Sequence, residues 1–165
     1  MAMIHLEPQT LEMFSRALDG LKPPPNLSLS QWADKYRKLS AEASASQGQW
    51  NTDAAPFQRE IMDAIGDVHI RKVVAMMCAQ AGKTEGLILN TIGFYMSYHP
   101  ASIMVMQPTV NLGESFSKDR LTPMLRDTPT LRGLVNTKSR YSGNTISKKN
   151  FPGGMSVSYT HLTLP

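Results

Sequence analysis

The stretch VVAMMCAQAGKTEGLILNTIGFYM, Val73–Met96, decides how the rest of the chain is read. An evenly apolar run breaks at Ala81-Gly82-Lys83-Thr84, and Leu87, Ile88, Thr91, Ile92 and Tyr95 then follow at helical spacing. Strand, tight turn and helix in that order suit a phosphate chain. Converging backbone N–H groups and a helix N-terminus draw the anion, and one lysine reaches its outer groups. On this reading Ala79, Gln80, Ala81, Gly82, Lys83, Thr84 and Glu85 form the loop. Gly82 removes side-chain bulk at the closest approach, Lys83 meets the β- and γ-phosphates of ATP, and the Thr84 hydroxyl serves Mg2+. The pattern G-x-x-x-x-G-K-[ST] lacks its first glycine, with Met77 in its place, where the loop opens away from the tightest contact. The competing reading is a strand-to-helix turn with an incidental lysine.

The bulk numbers set the frame. A chain of 165 residues, 41% hydrophobic and 18% charged, has the length and composition of one folded domain. No apolar run reaches the ~18–20 residues that span a bilayer, so no membrane association is expected. The start, MAMIHLEPQT, lacks the basic and apolar regions of a signal peptide. A single cysteine, Cys78, excludes a disulfide framework, and His5, His69, His99 and His161 are too scattered for a metal signature. Charge is uneven: residues 1–114 hold 9 Lys/Arg and 11 Asp/Glu, whereas residues 115–165 hold 8 Lys/Arg with only Asp119 and Asp127. A basic C-terminal half is compatible with nucleic acid and equally with a solvated basic face.

Outward from the loop, the order of elements predicts an α/β fold. Phe57, Ile61, Met62 and Ile65 mark a helix, RKVVAMMCA a buried strand, and ASIMVMQPT a second buried strand stopped by Pro108. Leu112, Phe116, Leu121 and Leu125 mark a helix over about residues 111–126. That implies part of a parallel sheet of the P-loop NTPase kind with flanking helices, over residues 51–156. Residues 1–50 are expected to form a small helical appendage. It comprises a helix over residues 9–21 (Leu11, Phe14, Leu18, Leu21) ended by KPPP, a second helix capped by Ser30, and a polar linker. Trp32 and Tyr36 are expected to be exposed docking anchors dispensable for nucleotide binding, the alternative being that they pack back on the core.

Four motifs in order, Trp-Ala-Asp-x-Tyr-Arg (Trp32–Arg37), Pro-Phe-Gln-Arg-Glu (Pro56–Glu60), Gln-x-Gly-Lys-Thr (Gln80–Thr84) and Gln-Pro-Thr (Gln107–Thr109), resemble the large terminase subunit of tailed phages, lambda A-protein type. YSGNTISKKNFPGG (Tyr141–Gly154) is similar to that family too, so the resemblance runs from about Leu27 to Gly154. It implies an N-terminal P-loop ATPase that pumps double-stranded DNA through a capsid portal. It also implies a C-terminal metal-dependent nuclease and an N-terminal segment that contacts the small terminase subunit. Such motors work as homo-oligomers in the host cytoplasm. The family's loop often keeps only its last glycine, which accounts for Met77. The resemblance further implies that Gln58 reads the adenine edge, since a primary amide both donates and accepts. Arg120 and Arg126 are candidates for DNA phosphate or a neighbouring subunit's γ-phosphate, against the plainer reading of solvated helix arginines.

A motor ATPase also needs an acidic strand end for Mg2+ and a glutamate to activate water. No apolar strand ending in Asp-Glu follows Thr84, and the nuclease carboxylates are missing, so the chain is expected to be an N-terminal fragment. The last residues, VSYTHLTLP (157–165), resemble translated sequencing-adapter DNA and are expected to be non-native. Uniform native read coverage across codon 157 would reject that. Two other functions compete: a helicase-like ATPase that remodels nucleic acid, and a non-catalytic adaptor binding nucleotide and DNA.

Overall fold

The structure, a computed structural model, describes residues 12–13, 26–42, 47–135 and 144–159. The helix expected over residues 9–21 lies outside the described residues except for Glu12 and Met13. Helix α1 (Leu29–Tyr36) starts at a capping box. The Ser28 hydroxyl accepts from the Gln31 N–H, and the Gln31 side chain accepts from the Ser28 N–H. The cap is therefore Ser28 and not Ser30, which is buried and donates its N–H to Asp63. Strands β1 (Lys38–Leu39) and β2 (Gly48–Gln49) pair antiparallel, with β2 inside the stretch expected to be a linker. A 3-10 turn (Thr52–Ala54) leads into α2 (Phe57–Gly66).

After the loop the chain winds as α3 (Lys83–Leu89), a π-helical run, and continues directly as α4 (Asn90–Ser97). Strand β3 (Ile103–Met106) follows. A long helical run then divides into α5 (Val110–Ser115), π-wound α6 (Phe116–Leu121) and α7 (Thr122–Asp127), matching the helix expected there. Strands β4 (Lys148–Phe151) and β5 (Gly154–Tyr159) close the described chain. Val157, Ser158 and Tyr159, expected to be foreign, stand in register with Met104, Val105 and Met106.

The sheet corrects two expectations. Its order is β3-β5-β4, with β3 and β5 parallel but β4 and β5 antiparallel, so it is mixed where a parallel sheet was expected. The run Val73–Cys78 is no strand: it pairs with nothing among the described residues, and Met76 is 99% exposed. Apolar composition makes a run able to enter a sheet, but a strand exists only where a neighbour supplies ladder partners. The described sheet gives β3 one neighbour, β5, and leaves its other edge free. Met104 and Met106 on β3 are likewise exposed, so only one face of that strand is covered.

The core corrects the picture of a separate arm. Trp32 is 1% exposed and belongs to one cluster with Leu29, Met62, Leu89, Ile92 and Phe94. Its ring meets Phe94 edge-on at 6.2 Å between centroids, and its Nε1 donates to the Ser97 hydroxyl. Gly93 makes this contact possible, because a Cβ there would lie 2.4 Å from the indole. Trp32 had few apolar neighbours in sequence, yet the burial of so large a ring outweighs local context. The α1 segment packs on α2 and α4 as an integral part of the core.

Candidate nucleotide-binding site

The loop takes its shape from two left-handed residues, Gln80 (φ 58°) and Gly82 (φ 73°). Such alternation turns successive N–H groups toward one concavity. Among the described residues, the backbone N–H groups from Ala79 to Glu85 form no hydrogen bond, the unsatisfied state typical of a helix start. The Gly86 N–H closes the first turn on the Gly82 carbonyl at 2.7 Å. Ala79, Gln80, Gly82 and Lys83 are exposed, and Ala81 and Thr84 are half-buried. Lys83 makes no ion pair among the described residues, which leaves its ammonium group available to an anion.

Two side chains hold this loop from behind. Gln58, on the first turn of α2, is 2% exposed, and its Nε2 donates to the Ala81 carbonyl at 2.7 Å. Its Oε1 is buried and has no hydrogen-bond partner. The Glu85 carboxylate pairs with Arg37, Oε2 to Nη2 at 2.8 Å, with Arg120 at 3.5 Å from Oε1. Arg37 is 1% exposed and also donates to the Lys38 carbonyl. Burial lowers the Arg37 pKa against the pull of Glu85, and burial raises that of Glu85 against Arg37 and Arg120. Desolvation is the larger influence on both partners.

The expected site residues separate accordingly. Ala79–Glu85, Gln58 and Arg120 come together around the loop, whereas Arg126 pairs with Asp127 and with Glu42. Arg37 was missed as part of the site. It closes the Trp-Ala-Asp-x-Tyr-Arg motif, but nothing in its spacing, 48 residues from Glu85, signals the pairing.

The profile of the family "Phage terminase large subunit gpA, ATPase domain" matches residues 44–162. The chain belongs to that family. It is 31% identical over 146 residues to the terminase large subunit of Escherichia phage lambda, covering 87% of this chain and 22% of that protein. It is 32% identical over 133 residues to the terminase large subunit of Enterobacteria phage P21, covering 80% of this chain and 20% of that one. The chain thus spans about a fifth of the length of the curated relatives it matches. No solved structure matches it significantly.

Proposed function

We propose that this chain is the nucleotide-gripping part of a DNA-packaging ATPase, in which the Ala79–Glu85 loop holds the phosphates of ATP. The observation that carries this reading is the row of unbonded N–H groups at the start of the α3–α4 helix, beside an exposed Lys83. A triphosphate accepts from those amides and gains the favourable N-terminal end of the helix dipole. The Lys83 ammonium would neutralise the outer phosphates, and the Thr84 hydroxyl, one residue on, would hold Mg2+. The ion, when bound, offsets charge on the transferred phosphoryl group. Glu85 cannot serve as the base for water while Arg37 and Arg120 hold it. An acidic pair for Mg2+ and for water therefore has to come from residues other than Glu85.

The working assembly inferred from the family is a ring of copies on a capsid portal, in the host cell, with double-stranded DNA and the small terminase subunit as partners. Among the described residues no helix is long and apolar enough to cross a membrane. Titration of the complete gene product with labelled ATP, with and without DNA, tests the reading. Binding should be lost in Lys83→Ala, and DNA should stimulate hydrolysis. Dependence on the portal separates a terminase from a helicase-like ATPase. A Lys83→Ala protein that packages DNA like the wild type would show the loop assignment to be wrong.

A further inference from the structure

Gln58 has a job that adenine recognition does not describe. Its side chain is buried beneath the loop between two glycines. A Cβ at Gly82 would lie 2.9 Å from Nε2, and one at Gly86 only 1.8 Å from Oε1. Its Nε2 is fixed as the donor by the Ala81 carbonyl it meets at 2.7 Å, while Oε1 is buried with no partner. A buried amide oxygen without a donor costs about as much as the hydrogen bond on the other side returns. The arrangement persists because the two glycines leave space for one planar amide and nothing larger. Since α2 is anchored in the core by Met62, Gln58 transmits a rigid position to a loop that would otherwise hang between an unpaired segment and a helix.

We infer that Gln58 is a positioning residue for the phosphate loop. It sets where the amides of Ala79–Glu85 converge, acting equally on any triphosphate whatever its base. This rests on the loop binding phosphate, as proposed above. Gly86 is the other half of the device, because its missing side chain is what admits the amide.

The experiment measures binding of ATP, GTP and inorganic triphosphate to the complete gene product by calorimetry. Far-UV circular dichroism and thermal melting establish that each variant is folded. Gln58→Met fills similar space without the hydrogen bond, and it should weaken all three ligands by a common factor of about tenfold. The ratio of ATP to GTP affinity should not change. Gly86→Ala, which drives the amide out, should do the same. In the double variant Gln58→Ala/Gly86→Ala the alanine at 86 meets no amide, so that protein should bind no worse than Gln58→Ala alone. A fall in ATP affinity alone, with triphosphate binding intact, would assign Gln58 to adenine and overturn the inference. Wild-type affinity for all three ligands, or a Gly86→Ala effect that adds in full to Gln58→Ala, overturns it as well. If the wild type binds no triphosphate, or Lys83→Ala binds it equally, the loop reading itself falls and the clamp with it.

Discussion

Asp127 sits in the fork of Arg126, accepting from Nε at 2.7 Å and from Nη2 at 2.9 Å. Those hydrogen bonds hold its carboxyl at a pKa of about 2, below the ordinary 3.8. A folded-state pKa below the unfolded value means that the stabilisation is complete above about pH 4 and is lost as the pH falls toward 2. Because the pair is exposed, the effect is small and screened by salt. Urea midpoints taken from pH 5 to pH 2 at low salt should fall for the wild type, and Asp127→Asn should remove the Asp127 part of that fall. An unchanged slope in the variant would contradict the assignment. Arg126 is engaged here and with Glu42, so a DNA contact by this side chain would first have to break those pairs.

At the scale of elements, α1 and the loop are joined by the Arg37–Glu85 pair, which links residues 48 apart. Arg37→Ala leaves a largely buried carboxylate with only Arg120 to answer it, and should cost about 3 kcal/mol in urea unfolding. Arg37→Met/Glu85→Leu, which removes both charges, should recover most of that loss. If the double variant is as unstable as the single one, the pair is not what Arg37 contributes. Deleting residues 1–40 should collapse stability, since it removes Trp32 and Leu29 from the core. A deletion that leaves the melting temperature intact would restore the view of a dispensable arm. The long amphipathic helix of residues 110–127 was readable from sequence because its period follows from the helix itself. The loop was readable because glycine and lysine carry their chemistry locally. Burial of Trp32, pairing of Arg37 and the fate of Val73–Cys78 depend on distant partners, so no local pattern encodes them.

Across the whole molecule, one side of the sheet is unfinished. An apolar groove of about 300 Å³ lies beside β3, lined by Ile65, Leu87, Ile88, Ile92 and the strand's own side chains, and the mostly exposed Val73–Cys78 run leads into the loop. An uncovered edge flanked by apolar side chains invites pairing with another chain. Purified residues 1–165 should therefore self-associate in sedimentation experiments, and Met104→Lys/Met106→Lys should restore the monomer. They should also show no Lys83-dependent ATP turnover, because grip without an acidic pair does not activate water. A monomeric wild type at high concentration would argue against an open edge, and measurable Lys83-dependent turnover would show that the acidic groups are already present.

Arg37, Gln58, Glu85 and Arg120, the props of the loop, all precede β4 and β5 in the chain. During synthesis they leave the ribosome before β5, the strand that pairs with β3 among the described residues, has been made. Their contacts form between helices and a loop and need none of the ladder hydrogen bonds that β5 supplies. The cradle can thus form before the sheet behind it, and on the function proposed above free nucleotide would meet it at that stage. A ligand that binds this partly made structure in preference to the unfolded chain holds it in place by mass action. ATP would then act first as a folding template, well before it serves as fuel.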